Sequence, residues 1–281
     1  MAKILSGREV ALQLNEQLKE RIRVLRLKGL VPSICVVRVG EDPGDISYET
    51  GARKRCELTN AGFRAVHLPG NVSQEELIGV IRSLNEDPEV HGVLLLRPLP
   101  RGMDEAKVVN SLLPSKDVDG MTDLSLSGIL TGRNTGFAPC TAEAAMAFLD
   151  HYGIDPCGKR AVVVGRSLVF GKPAALMLLG RNATITVCHT RTRDLPSIAR
   201  QADILMVACG HAGAVGRECL RDGQIVIDVG INVGADGKMC GDVDFAQAEP
   251  VVGAITPVPG GVGAVTTSIL VRHVVEACER I

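Results

Sequence analysis

The chain contains no tryptophan, two tyrosines and five phenylalanines in 281 residues. It therefore lacks the aromatic platforms on which nucleic-acid bases stack. It also lacks an excess of charge of either sign. A formal net charge of −1 supplies no global field for nucleic acid or an anionic membrane surface. No apolar run approaches the length of a membrane span, and the opening "MAKILSGREV" has no signal-peptide core. The nine cysteines are odd in number, scattered and without a C-x-x-C pair, so neither a disulfide framework nor a structural zinc site is expected. These absences predict a cytoplasmic protein without metal, nucleic acid or membrane partner.

Hydrophobic residues make up 46% and charged residues 22% of the chain, a globular balance with room for two modest cores. With so few aromatics, the interior must be built from Val, Ile, Leu and Ala. Ser6 and Glu9 form a capping-box signal, and Val10, Leu14, Leu18, Ile22 and Leu25 follow at helical spacing until Gly29. "SICVVRVG" reads as a buried strand, and the turn "EDPGD" leads into a helix reaching about Asn60. "SQEELIGVIRSLN" repeats the capped-helix signal at Ser73 and Glu76, and "VHGVLLL" is a second buried strand. After one further helix behind "GFAPCT", four strand-like runs follow: "RAVVVG", "ATITVCH", "ADILMVACG" and "GQIVIDVG". The C-terminal "AVTTSILVRHVVEACERI" is again helical. Alternating strands and helices predict an α/β protein of two domains, each a mostly parallel sheet with flanking helices.

In "VVVGRSLVFGKP" a strand runs into Gly165 and a helix is expected near Gly171. Such a turn lets backbone amides and a helix N-terminus meet a pyrophosphate, although it also occurs as a plain tight turn. The next strand ends "TVCHTRTRD", where an NAD-binding domain usually places an acidic residue for the ribose hydroxyls. Thr190, Arg191 and Arg193 stand there instead, with Arg166 on the first loop. Hydroxyl and guanidinium groups suit a 2′-phosphate and predict NADP over NAD. The alternative for the arginines is solvated surface charge. His189 is expected to be structural.

These motifs, together with "DPGDISY", "KDVDG", "DVGIN" and "TPVPGGVGAVT", resemble the methylenetetrahydrofolate dehydrogenase/cyclohydrolase (FolD-type) family in order and spacing over nearly the whole chain. The resemblance implies a folate-binding domain of residues 1–140 and 265–281, and a Rossmann-like NADP-binding domain of residues 141–264. It implies a homodimer acting on tetrahydrofolate one-carbon substrates. Tyr48 and Asp119 would serve the folate site, with Leu96, Pro259, Gly260 and Gly261 lining it. Gly165, Arg166, Ser167, Gly171, Thr190, Arg191 and Ile231 would hold NADP. The implied reactions are hydride transfer from 5,10-methylenetetrahydrofolate to NADP, then hydrolysis of the methenyl product to 10-formyltetrahydrofolate.

The chain departs from the family where the second reaction is carried out. Family members place a lysine four residues after the tyrosine, and Ala52 holds that position. Counting back from Gly62 instead selects Lys54, because the segment is two residues longer than the family pattern. Leu96 stands where a glutamine tunes the lysine, and Arg97 replaces an apolar residue. Asp45, Ala264 and Val265 replace serine, proline and methionine. If the strand continues, Arg97 should point to the face opposite Leu96. The expected function is a dehydrogenase whose cyclohydrolase step is in doubt. One alternative is a bifunctional enzyme using Lys54, and another is a non-catalytic NADP- or folate-binding protein.

Overall fold

The computed structural model describes residues 1–234 and 237–280. In chain order its elements are β1 (Lys3–Ile4), α1 (Gly7–Leu27), β2 (Ser33–Val39), α2 (Pro43–Thr59), β3 (Gly62–Leu68), α3 (Gln74–Glu86), β4 (Gly92–Leu95), α4 (Glu105–Val109), α5 (Asp123–Thr131) and α6 (Cys140–His151). There follow β5 (Arg160–Val164), α7 (Gly171–Gly180), β6 (Thr184–Cys188), α8 (Leu195–Arg200), β7 (Ile204–Val207), β8 (Ile225–Asp228), β9 (Asn232–Val233), β10 (Met239–Cys240), α9 (Phe245–Ala248), β11 (Ala254–Ile255) and α10 (Thr266–Glu279).

Two compact units divide the chain: Gln13–Cys140 with Thr267–Ile281, and Met1–Leu12 with Thr141–Thr266. The first is built on a three-stranded parallel sheet, ordered β3-β2-β4. Strand β2 is buried on both faces, as the strands of a parallel sheet are, and Ile34, Cys35, Val36 and Val37 are all fully buried. Helix α3 covers the sheet with Leu77, Ile81 and Leu84. Each such side chain contributes about 1.5–3 kcal/mol on burial. Its start is fixed by a reciprocal pair: Glu76 N–H donates to Ser73 Oγ at 3.2 Å, and Ser73 N–H donates to Glu76 Oε2 at 2.9 Å. Strand β3 was not apparent from periodicity, since as an edge strand it mixes Arg64 and His67 with apolar residues.

The second unit carries a six-stranded, wholly parallel sheet, ordered β1-β11-β8-β7-β5-β6. Val162, Leu205, Val207, Val226 and Ile255 form the centre of one of its cores. The chain leaves central β5 toward β6 and then returns to β7 on the other side, which opens a crevice at the strands' carboxyl ends. Residues 1–12 group with this unit rather than with the segment that follows them. The cause is backbone pairing: β1 joins β11, and Gly7 N–H donates to Gly260 O at 2.8 Å. A two-residue strand leaves no periodicity by which it could be recognised. Among the described residues no helix is long and apolar enough to cross a membrane, and no cluster of His, Cys, Asp or Glu could hold a metal ion.

Candidate active site

In the six-stranded unit, a cavity of about 340 Å³ opens at the carboxyl ends of β5, β6 and β7. Gly165, Arg166 and Ser167 line it from the first strand, His189 and Thr190 from the second, and Ala208 and Cys209 from the third. Gly165 turns the chain with φ +124°, and a Cβ there would lie 2.1 Å from Ala208 O, so the loop and β7 meet backbone to backbone. Gly171 begins α7, and its missing side chain leaves room for Gly165 O, which would be 2.2 Å from a Cβ. The loop is closed by two bonds, Phe170 N–H to Ser167 Oγ at 3.2 Å and Lys172 N–H to Ser167 O at 3.1 Å.

None of the residues lining this cavity is acidic. Arg166 and Thr190 are exposed at its rim. Asp194, the first carboxylate after β6, is committed to capping α8 through Ser197 N–H. His189 is held in a local turn, its Nδ1 accepting from Arg191 N–H at 3.1 Å. The exposed Arg191 and Ile231 lie outside the cavity lining, and Ile231 instead approaches the backbone at Gly263. In the same unit Gly261 packs so closely that a Cβ would fall 2.3 Å from Pro257 O, while Pro259 and Gly260 are exposed.

Two carboxylates beneath the crevice escaped sequence reasoning as structural elements. Buried Asp242 accepts from Cys209 N–H at 2.6 Å, Gly210 N–H at 2.9 Å and Asn232 Nδ2 at 2.8 Å. Asp228 accepts from the amides of Gly230, Asp242 and Val243 at 3.0, 3.1 and 2.9 Å. Burial pushes the Asp228 carboxyl up to about 6 despite those donors. Together they tie the ends of β7 and β8 to the segment that follows. The glycine-aspartate pairs around them were the available signal, since both Gly230 and Gly241 would collide with these carboxylates if they carried a Cβ.

The three-stranded unit has its own cluster. Within "KDVDG", four residues serve the fold. Lys116 Nζ donates to Leu84 O and Asp87 O at 2.8 and 2.6 Å. Asp117 accepts from the amides of Met121 and Thr122 at 3.0 and 2.7 Å. Val118 O accepts from Cys140 Sγ and His273 Nδ1 at 3.2 and 2.8 Å. Gly120, at φ +68°, has no space for a side chain against Ala138 and Phe137. Asp119 is partly exposed as a residue, and its carboxyl shares a hydrogen bond with Cys140. Burial pushes it up to about 6, the Asp117 carboxylate adds to the rise, and Arg97 opposes it.

The matching profiles are those described as the tetrahydrofolate dehydrogenase/cyclohydrolase catalytic domain, over residues 5–119, and the NAD(P)-binding domain of the same enzymes, over residues 139–281. The chain belongs to the tetrahydrofolate dehydrogenase/cyclohydrolase family. A bifunctional FolD protein of Carboxydothermus hydrogenoformans is 48% identical over 282 residues, covering 99% of this chain and 98% of its own. The crystal structure of the bifunctional FolD enzyme of Campylobacter jejuni superposes with a TM-score of 0.97 at 38% identity, covering 100% of this chain and 99% of its own. The FolD enzyme of Trypanosoma brucei, solved with NADP cofactor and an inhibitor, gives 0.93 at 34% identity, covering 99% and 98%.

Helix α2 carries both Ala52 and Lys54. It runs unbroken from Pro43 to Thr59 and ends on Asn60 in the left-handed conformation. The spacing from Tyr48 is therefore helical throughout, and Ala52, one turn on, is fully buried. Lys54 lies about 120° round the helix from Tyr48 and is exposed, so the structure does not bring these two together. Of the three cations on α2, Arg55 shares the tyrosine's side, and its Nε donates to Thr267 Oγ1 at 3.2 Å.

Leu96 is buried, its N–H donating to Val37 O at 3.0 Å. Strand β4 ends at Leu95, so the condition for strand alternation to reach Arg97 is not met. Arg97 Nη1 donates instead to Glu105 Oε1 at 3.0 Å. Beside half-buried Tyr48, Glu49 is buried and was not singled out from sequence. It accepts from Arg38 Nε at 3.0 Å, pairs with His67 Nε2 at 3.0 Å, and meets Arg53 Nη2 at 3.3 Å. Burial raises the Glu49 carboxyl, but bonds from His67 and Arg38 outweigh it and leave it below its ordinary value.

Proposed function

We propose that this chain is an NADP-dependent 5,10-methylenetetrahydrofolate dehydrogenase in which hydrolysis of the methenyl product is absent or weak. The observation that carries the reading is the acid-free cavity of Gly165, Arg166, Ser167 and Thr190 in a chain of this family. Backbone amides and a helix start suit the pyrophosphate, and Arg166 suits a 2′-phosphate. Gly171, Arg191 and Ile231 complete the proposed cofactor set. Tyr48, Leu96 and Asp119, with Pro259, Gly260 and Gly261, form the proposed folate set. When bound, NADP supplies the acceptor for the hydride of the methylene bridge.

The substrate's own nitrogens stabilise the methenyl cation, so the residues need only orient and shelter it. Hydrolysis makes a further demand, a group that manages protons near an attacking water. Ala52 and Leu96 offer none, and Lys54 is turned away. The bifunctional reading stands second because relatives such as the Carboxydothermus protein are described as bifunctional. We further propose a cytosolic homodimer, a reading supported by nine free thiols and the family likeness.

The test supplies 5,10-methenyltetrahydrofolate and follows its loss, with NADPH formation from the methylene compound measured in parallel. The expected outcome is NADPH formation with methenyl loss at the spontaneous rate, unchanged in Lys54→Met. Hydrolysis above that rate, abolished by Lys54→Met, would restore the bifunctional reading. NADP binding with no turnover of either compound would overturn both in favour of a non-catalytic protein.

A further inference from the structure

We infer that Asp242 is a positioning residue of the cofactor crevice, fixing the two loops that serve the nicotinamide half of the dinucleotide. The inference rests on the proposed NADP reading. A dinucleotide lies across the crevice where the strand order reverses, one half on either side of the switch. Gly165, Arg166, Ser167 and Thr190, at the ends of β5 and β6, form the side that suits the pyrophosphate and the 2′-phosphate. The other side is formed by the loops that leave β7 and β8.

Both of those loops are fastened to one buried side chain. Asp242 Oδ2 accepts from Cys209 N–H at 2.6 Å and from Gly210 N–H at 2.9 Å, where the β7 loop turns. Its Oδ1 accepts from Asn232 Nδ2 at 2.8 Å. Gly230 packs on the same carboxyl, so closely that a Cβ would lie 2.2 Å from Asp242 Cγ. Exposed Ile231 is therefore the middle residue of a turn whose two flanks both rest on Asp242. The converging partners are all N–H donors, and a carboxylate accepts through both oxygens without bringing a donor of its own.

The anchor is itself held in place. Asp242 N–H donates to Asp228 Oδ1 at 3.1 Å, and Asp242 O accepts from Val215 N–H at 3.0 Å. Val243 forms a parallel bridge with Val215. The β7 loop is thus gripped at its start by a carboxylate and at its end by backbone, and His211 and Ala214 between those points line the cavity. The β5 loop is closed by its own bonds, from Phe170 and Lys172 to Ser167. Loss of the Asp242 carboxylate should therefore loosen one side of the crevice and spare the other.

The experiment is calorimetric titration of the full-length protein and of Asp242→Ala, Asp242→Asn and Asn232→Ala with two ligands. One is NADP, and the other is adenosine 2′,5′-bisphosphate, which carries the 2′-phosphate but no nicotinamide. Circular dichroism fixes a temperature at which each variant is folded. In Asp242→Ala, NADP should weaken about tenfold or more because three donors lose their acceptor, while the bisphosphate stays within about twofold of the parent. Asn232→Ala frees only the β8 turn and should shift NADP in the same direction by a smaller factor. Asp242→Asn should restore most of the affinity, since its oxygen serves the two backbone amides and the Asn232 side chain can turn to present its own oxygen. Equal weakening of both ligands, or unchanged NADP affinity, in folded Asp242→Ala would overturn the inference. If that variant does not fold, the same comparison in Asn232→Ala decides. A parent protein that binds neither ligand would instead refute the NADP reading on which the inference rests.

Discussion

Replacing Glu49 by glutamine should loosen the helix that carries Tyr48, and the size of the effect follows from the burial of its partners. Glu49 and Arg38 are 6% and 9% exposed, with Nε and Oε2 at 3.0 Å. Breaking so buried a pair costs about 3–5 kcal/mol, chiefly by stranding the remaining charge. Arg53 and His67 add less than about 1 kcal/mol each, since their side chains are half exposed. Glutamine still accepts one bond from Arg38, and Gly40 O accepts another, so the expected loss is about 2–3 kcal/mol. For a unit of this size that corresponds to a melting temperature lower by roughly 8–12 °C. Thermal unfolding monitored by circular dichroism measures it.

The pH dependence has a definite sign. The folded-state carboxyl lies below its ordinary 4.5, so its stabilisation is fully present above 4.5 and fades as pH falls through the lower folded value. Parent and variant should therefore converge in acid. The KM for methylenetetrahydrofolate should rise while NADP affinity, housed in the other unit, stays constant. A variant melting within about 2 °C of the parent above neutral pH would refute the reasoning, because no loss of about 2 kcal/mol could produce so small a change.

Arg166→Ala removes an exposed guanidinium at the cavity rim and should leave the melting temperature unchanged. A charge-assisted bond to a 2′-phosphate is worth about 1.5–3 kcal/mol, so calorimetric titration should show NADP weakened at least tenfold and NAD hardly affected. Equal weakening would undo the phosphate assignment. Gly171→Ala forces a methyl to within 2.2 Å of Gly165 O, displacing the loop itself. Here NADP and NAD should weaken alike, and the same titration checks it.

The elements legible in the sequence are those whose burial repeats. Helix α1 shows its contacts at Val10, Leu18, Ile22 and Leu25 because one face meets the core along its length. Strands β2, β5, β7 and β8 read as continuous apolar runs because both faces of a parallel sheet are buried. Two-residue β1 and β11 are specified by backbone bonds that any residue can make. The turn that lines the cavity at the end of β5 was legible because glycine is required where backbones touch, as at Gly165 and Gly171. The ion cluster at Glu49 was not, since Arg38, Glu49 and His67 come from three elements joined only by the tertiary fold. The end of β4 was not legible, because it is set by pairing with β2 and not by the residues of β4.

The distribution of departures bears on what the family motifs mean. In "KDVDG" the side chains of Lys116 and Asp117, the carbonyl of Val118 and the missing side chain of Gly120 all build the turn. A chain that folds this way has reason to keep those four residues whether or not it turns over a folate. Asp119, whose carboxyl shares a hydrogen bond with Cys140, is the one of the five that the proposed folate role uses. The same test applied to the hydrolytic step gives the opposite result. Ala52 and Leu96 are buried and apolar, well packed and without a group that exchanges protons. The cation that shares the Tyr48 side of the helix is Arg55, a guanidinium that stays protonated at any physiological pH. A fixed charge can orient a substrate but cannot take a proton from water. Hydride transfer asks only for orientation, which a fixed charge can supply, whereas the proposed loss of hydrolysis follows from the lack of a titratable group at Ala52 and Leu96.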